Sequence, residues 1–170
     1  MSRRRKGFTL LEVLVVLFIV SVMTGITVIN LPGFAQTDVF DYESDRLKAV
    51  IGMLREDAIM QSNEYGLQVQ RLDAGDNYGY EFYVYDAEYQ DWQALTELPF
   101  SSRSLPEEFV LSLKVEGDDV QLQSEDAPPV LILSSGEVTP FTLLVAHRDN
   151  ATLNRTLESD GYSDVDWQEE

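Results

Sequence analysis

A single carboxylate, Glu12, lies near the start of an otherwise apolar stretch that runs from Phe8 to Leu31. An acid inside an apolar segment is costly, so it indicates function and calls for a cationic partner. The nearby cations all precede the stretch: Arg3, Arg4, Arg5 and Lys6. A cut after Gly7 would remove them and give Phe8 a new amino group, one helical turn before Glu12. The spacing therefore allows an amine–carboxylate pair within one chain or between neighbouring chains.

The apolar stretch itself has the length of a membrane segment. Its residues, 8–31, would span roughly 36 Å as a helix, against about 30 Å for the bilayer core. The preceding cations predict a cytoplasmic N-terminus and a C-terminal part on the outer side. A secretory signal peptide would have a shorter apolar core and a small-residue cleavage site, and no A-x-A pattern precedes Pro32. A buried core helix would leave the cations unexplained.

The stretch "KGFTLLEVLVVL" resembles the class III signal of type IV pilins and type II secretion pseudopilins. The resemblance implies that residues 1–7 are a leader peptide, which a prepilin peptidase removes by cutting between Gly7 and Phe8. It also implies that Phe8 is N-methylated and that Glu12 is needed for assembly into a filament. Residues 8–31 would then serve first as a transmembrane anchor and later as the filament core.

A second, amphipathic helical pattern follows the apolar stretch. Its apolar residues share one helical face: Leu47, Val50, Ile51, Leu54 and Ala58. The pattern predicts a helix from about Asp38 to Asn63, with residues 32–63 as the amphipathic continuation of the first helix. Pro32 and Gly33 are expected to kink or interrupt the helix between its two halves.

From residue 64 to residue 170 the pattern changes to short β-strands and turns. Strands are predicted within 66–72, 78–86, 110–117, 120–123, 130–133, 139–148 and 151–159, with a hairpin turn at 73–77. In the last strand we expect Ala151, Leu153 and Leu157 to share the apolar face. Such spacing favours an antiparallel sandwich or barrel. The predicted fold class is α+β: a long N-terminal helix followed by an antiparallel β-sandwich.

The stretch "LSSGEVTPFTLLV", residues 133–145, is similar to a motif of the GspH/FimT-like group, to which the type II secretion minor pseudopilins H belong. The matching residues are Gly136, Glu137, Thr139, Pro140 and Phe141. The residues themselves predict a tight turn at 134–137, with Gly136 at positive φ and Pro140 at a strand start or edge. With the N-terminal signal, this resemblance implies a pilin-like fold.

The resemblance also implies a role and partners. The role is that of a minor subunit near the tip of a periplasmic pseudopilus, which helps drive export of folded proteins across the outer membrane. The partners are the minor pseudopilins I, J and K, the major pseudopilin G and the prepilin peptidase. The chain would sit in the inner membrane with a single pass before it joins the filament, its C-terminal domain in the periplasm. The alternative is a minor type IV pilin of the FimT/FimU kind, in pilus assembly or DNA uptake.

The charge of the chain argues against nucleic-acid binding. The sequence has 30 acidic residues against 12 Lys and Arg, a net charge of −18. Residues 66–170 hold only five of the cations and 22 of the acids. Such a surface repels phosphate backbones, which disfavours DNA uptake, and its acidity serves solubility first.

Catalytic chemistry has little support in the sequence. The chain has no cysteine and one histidine, His147, which we interpret as structural. No nucleophile–base pair or ligand cluster is visible, so no catalytic residue, metal or cofactor is predicted, with a carboxylate-only site as the open alternative. The acidic stretch 160–170 lacks EF-hand spacing and is interpreted as a solvated C-terminal tail.

Overall fold

The computed structural model describes residues 9–29, 32–72, 77–122 and 127–168, with the side chains of residues 25–35 excepted. The chain divides into two compact units, residues 1–39 and residues 40–170.

The first unit contains helix α1, Leu10–Ile29, and the start of helix α2, Pro32–Gln61. Helix α2 begins six residues before the predicted Asp38, because proline is tolerated at the first position of a helix. The kink expected at Pro32 and Gly33 concerns the junction at residues 30–31, which lies outside the described residues. Within the described ranges, no helix combines the length and the apolarity needed to cross a membrane. The apolar stretch 8–31 extends beyond those ranges at both ends.

Within the second unit, α2 buries the apolar face that its sequence pattern predicts. All five members of that face are buried: Leu47, Val50, Ile51, Leu54 and Ala58. The helix ends at Gln61, where Ser62 takes a positive φ of 57°. A left-handed residue at this position is a common helix terminator.

Ten strands follow α2. They are β1 Tyr65–Leu72, β2 Asn77–Asp86, β3 Asp91–Ala94, β4 Arg103–Ser104, β5 Phe109–Val115, β6 Asp118–Asp119, β7 Val130–Ile132, β8 Phe141–His147, β9 Asn150–Ser159 and β10 Asp166–Trp167. The first sheet has the order β3-β2-β1-β7, with β4 also paired to β2. The second sheet has the order β10-β9-β8-β5-β6, and every pairing is antiparallel. The predicted α+β class, with a helix followed by two antiparallel sheets, is confirmed.

The hydrophobic core joins α2 to both sheets. In β5 and β8 alternate residues are buried, and these are Phe109, Leu111, Leu113, Phe141, Leu143 and Val145. The first sheet contributes Leu67, Val69, Tyr80 and Phe82 to the same cluster. This period of two is that of strands with one buried face.

Two strand predictions need correction. Residues 120–122 are not a strand, because Glu116 and Gly117 both take positive φ and form a two-residue hairpin turn. That turn leads straight into β6, which pairs with the end of β5. In β9, Ala151 is exposed rather than on the apolar face, since the strand extends past the core there.

The prediction of a solvated tail from residue 160 is wrong for the part that the structure describes. We call residues 160–168 the C-terminal segment. Its Val165 is only 7% exposed, and β10 pairs with Leu157 and Glu158 of β9. The segment is held in place because Val165 and Trp167 pack on the core. In addition, Asp164 and Asp166 form ion pairs with Arg55 and Lys48 of α2.

Candidate assembly site

Glu12 lies in the first turn of α1. Its backbone N–H donates to the hydroxyl oxygen of Thr9 at 3.2 Å and to the Thr9 carbonyl oxygen at 3.0 Å. Thr9 is therefore the helix cap, and Thr9-x-x-Glu12 has the sequence of a capping box. An acid at this position is also favoured by the helix dipole. Local helix physics thus gives Glu12 a structural role besides the predicted one in assembly.

The other residues of the predicted N-terminal site lie outside the described residues. They are Arg3, Arg4, Arg5, Lys6, Gly7 and Phe8. Cleavage, methylation and the pairing of the Phe8 amine with Glu12 stay predictions.

The described side chains of α1 are exposed and almost all apolar. Two of its hydroxyl groups bond within the helix: Ser21 donates to the Leu17 carbonyl at 2.8 Å, and Thr24 donates to the Val20 carbonyl at 2.8 Å. A helix that is apolar on all sides belongs in an apolar environment, where hydroxyls must be satisfied internally. Ser21 and Thr24 meet that requirement.

The motif at 133–145 forms the predicted tight turn. The Gly136 N–H donates to the Leu133 carbonyl at 2.8 Å, and the Leu133 N–H donates to the Glu137 carbonyl at 2.8 Å. Gly136 has a φ of +87°, which glycine adopts without strain. The Glu137 N–H donates to the Ser135 hydroxyl oxygen at 3.3 Å.

The rest of the motif joins neighbouring elements. Thr139 accepts a hydrogen bond from the Leu131 N–H at 3.0 Å and donates its own N–H to the Leu131 carbonyl at 2.8 Å. Pro140 precedes β8 as predicted, and its carbonyl accepts the Glu116 N–H at 3.0 Å. Phe141 is buried and opens β8. Each motif residue therefore has a structural task in holding β5, β7 and β8 together.

Arg55 of α2 is a functional-site neighbour that the sequence reasoning missed. Its Nε donates to the Gly136 carbonyl at 2.6 Å, and one terminal nitrogen donates to the Tyr162 carbonyl at 2.6 Å. The other terminal nitrogen forms an ion pair with Asp164. Since these partners lie 81 to 109 residues away in the chain, no local pattern could reveal them.

A second missed cluster lies at the other end of α2. The Arg103 Nε donates to the Glu43 carboxylate at 3.1 Å, and a terminal nitrogen completes the pair. The hydrogen bond to Glu43 raises the pKa of Arg103 above its ordinary value. The neighbouring Arg46 donates to the Tyr80 hydroxyl and to the Pro99 carbonyl. One feature of the sequence could have indicated this cluster: the acid Glu43 lies on the apolar face of α2, between Phe40 and Leu47.

His147 is buried at the end of β8, and its Nδ1 accepts the Asp149 N–H at 3.2 Å. Among the described residues, no three His, Asp or Glu side chains are placed to hold a metal ion. Within the described residues, the polar side chains named above therefore join neighbouring elements of the fold.

Solved structures share this fold. The minor pseudopilin EpsH from the type 2 secretion system of Vibrio cholerae matches with a TM-score of 0.62 and 20% identity, over 76% of this chain and 94% of that one. The solution structure of Escherichia coli GspH matches with a TM-score of 0.55 and 21% identity, over 73% and 83% of the two chains. At these identities the likeness concerns the fold.

Sequence comparisons identify the family. The Prokaryotic N-terminal methylation motif matches residues 2–28. Type II secretion system protein H of Pseudomonas aeruginosa is 36% identical over 94% of both chains. The protein of the same name from Aeromonas hydrophila is 26% identical over 94% of this chain and 91% of its own length. The chain therefore belongs to the family of type II secretion system protein H.

Proposed function

We propose that this chain is a minor pseudopilin of a type II secretion system, a structural subunit near the tip of the periplasmic pseudopilus. There it would help drive export of folded proteins across the outer membrane. The observation that carries the proposal is the 36% identity to a type II secretion system protein H, over 94% of both chains. We infer a structural rather than an enzymatic role from the family to which the chain belongs.

The proposed organisation follows the sequence. Residues 1–7 are the leader, 8–31 the transmembrane and filament-core helix, 32–63 its amphipathic continuation, and 64–170 the periplasmic domain. The prepilin peptidase would cut between Gly7 and Phe8 at the inner membrane, before the subunit leaves it. The partners would be the minor pseudopilins I, J and K and the major pseudopilin G.

Glu12 is the residue on which the proposal is tested most sharply. A Glu12→Ala change removes both the charge and the polar side chain that a capping box has at this position, so its effect is ambiguous. Glu12→Gln keeps a side chain that a capping box accepts and removes only the charge. We expect Glu12→Gln to insert into the membrane normally and to lose most secretion in a strain that lacks the natural copy. Glu116→Gln, an exposed acid of the β5–β6 turn, is the matched control and should secrete normally.

Normal secretion by the Glu12→Gln variant would contradict the assembly role. Mass spectrometry of the purified N-terminus gives an independent readout of processing. A methylated Phe8 at the N-terminus is expected. An intact Met1, or a cut beyond residue 20, would exclude the pilin-type processing.

A further inference from the structure

The same three residues, Asp-Trp-Gln, occur at an outer strand of each sheet. They are residues 91–93 in β3 and residues 166–168 at β10. Strand β3 lies at one edge of the first sheet, and β10 lies at one edge of the second. An edge strand has one row of backbone groups without a partner in its own sheet, and another chain can pair with that row. The two edges can therefore be compared residue by residue.

In β3 the Trp92 N–H points out of the sheet. The Leu95 N–H donates to the Phe82 carbonyl of β2 at 2.8 Å. Because N–H directions alternate along a strand, those of Trp92 and Ala94 point away from β2. The Trp92 N–H donates instead to the Asp91 carboxylate, at 2.8 Å. Among the described groups, none accepts the outward N–H of Ala94.

Strand β10 shows the same arrangement with a cation in place. The Gln168 N–H donates to the Thr156 carbonyl of β9 at 2.8 Å, so the Trp167 N–H points outward. The Trp167 N–H donates to the Asp166 carboxylate at 2.7 Å. The same carboxylate is paired with Lys48 of α2. At this edge, a cation of the chain itself therefore neutralises the aspartate.

At the β3 edge the corresponding cation is missing. In the parts of the chain that the structure describes, the Asp91 carboxylate takes part in no ion pair. The sequence from residue 72 to residue 102 contains seven acids and no Lys or Arg. Two largely exposed apolar side chains flank β3 in the sequence, Tyr89 at 71% and Leu98 at 84%. The β3 edge thus combines an open backbone donor, an unpaired acid and apolar flanks.

We propose that the outer edge of β3 docks an extended strand of another protein, with a Lys or Arg that pairs with Asp91 as Lys48 pairs with Asp166. In strand addition, backbone hydrogen bonds give affinity and side chains give specificity. Opposite charges on neighbouring strands stabilise the pairing, and like charges oppose it. A second copy of this chain is disfavoured as the occupant, because two β3 edges would bring acids together. Docking at this edge is independent of the proposed secretion role, since it involves only the first sheet.

Synthetic fluorescent peptides test the docking on the full chain in detergent, at physiological ionic strength. The probe is Thr-Val-Lys-Val-Thr-Val. One control has Glu in place of Lys, and the other carries a methyl group on every backbone nitrogen. We expect the Lys peptide to bind about tenfold more tightly than the Glu peptide, the effect of one interfacial ion pair of moderate strength. The methylated peptide should not bind, because it has no N–H groups to donate to the edge.

Asp91→Asn tests whether this carboxylate is the source of the preference. Asparagine keeps an acceptor for the Trp92 N–H and removes the charge, so the Lys peptide should bind about tenfold more weakly. Glu107→Gln is the matched control, because Glu107 is an exposed acid of the turn before β5. The control should bind the Lys peptide as the parent does. Both variants should melt at the temperature of the parent.

A disulfide locates the bound peptide. The chain has no cysteine, so one introduced cysteine reports on one position. Ala94→Cys, at an exposed position of β3, should react with a Lys peptide that carries a single cysteine. Leu144→Cys is the control and should react far less. Leu144 is 37% exposed, but β8 has a paired strand on each side and therefore no open edge.

Each measurement has an outcome that would overturn the proposal. These outcomes are equal affinity for the Lys and Glu peptides, binding of the methylated peptide, unchanged affinity in Asp91→Asn, and equal disulfide yields at Ala94 and Leu144. Absence of measurable binding, or disulfides formed only between copies of the chain, would overturn it as well. Secretion lost in Glu12→Gln, together with absent peptide binding, would leave the secretion role standing without this docking site.

Discussion

The Nε of Arg55 lies 2.6 Å from the carbonyl oxygen of Gly136, so α2 is bonded directly to the turn of the family motif. The positive φ of Gly136 is part of the turn that presents this carbonyl. The same guanidinium holds the Tyr162 carbonyl, at 2.6 Å. One side chain therefore joins the helix, the motif turn and the C-terminal segment.

Replacing Arg55 should loosen all three elements. We expect Arg55→Ala to lower the free energy of unfolding by about 2 kcal/mol, since two hydrogen bonds to carbonyls are lost and the exposed Asp164 adds little. Arg55→Lys should recover less than half, because an ammonium cannot reproduce the guanidinium fork. Urea denaturation of the full chain in detergent measures the loss. Lys48→Ala, which removes only a surface ion pair, should cost less than about 1 kcal/mol, and equal losses at the two sites would contradict this account.

Gly66 and Gly52 make a matched pair for an added methyl group. A Cβ at Gly66 would lie 2.1 Å from Cγ of Pro128, whereas a Cβ at Gly52 would meet nothing within 4 Å. We expect Gly66→Ala to cost about 2 kcal/mol through overpacking. Gly52→Ala should instead stabilise α2 by up to about 1 kcal/mol, since alanine is the better helix former. Thermal melting distinguishes the two, and a stabilising Gly66→Ala would show that Pro128 is free to move.

The local features of this fold could be predicted from the sequence. The buried face of α2 follows from a period near 3.6 residues, and the faces of β5 and β8 follow from a period of two. The turn at Gly136 could be predicted because few residues adopt a positive φ there. These signals are carried by residues close together in the chain.

The contacts between distant residues could not be predicted. The acidic composition of the C-terminal segment predicts a solvated tail, yet Asp164 and Asp166 form ion pairs with Arg55 and Lys48 of α2. Glu43 and Arg103 are 60 residues apart, so neither position indicates the other. Charge composition predicts solubility, while the pairing of individual charges depends on the finished fold.

The C-terminal segment should respond to acid. Hydrogen bonds from the Ser163 and Tyr162 backbone lower the pKa of Asp160, and the Lys48 contact lowers the pKa of Asp166. A carboxyl whose pKa is lower in the folded state stabilises it above its ordinary pKa of about 3.9 and loses that contribution as the pH falls through the folded value. We therefore expect the segment to loosen below about pH 4.

Fluorescence of Trp167 reports this change, once Trp92, the other of the two tryptophans, is replaced by phenylalanine. Asp160→Asn keeps an acceptor for the turn and removes the titrating group, so the response to acid should become smaller. Asp118→Asn, a change in an exposed acid of β6, should leave it unaltered. A pH response that is the same in all three proteins would exclude Asp160 as a source.

The Glu43–Arg103 pair should respond unequally to loss of its two partners. Glu43 is 5% exposed and Arg103 39%, so only the arginine can turn to water when its partner is gone. We expect Arg103→Leu to cost about 3 kcal/mol, because it leaves a buried carboxylate unpaired. Glu43→Leu should cost only about 1 kcal/mol, and the double variant should be more stable than Arg103→Leu alone. Urea denaturation of the three variants measures the cycle. A larger loss of unfolding free energy for Glu43→Leu than for Arg103→Leu would contradict this account. It would mean that the unpaired carboxylate reaches water and that the unpaired arginine does not.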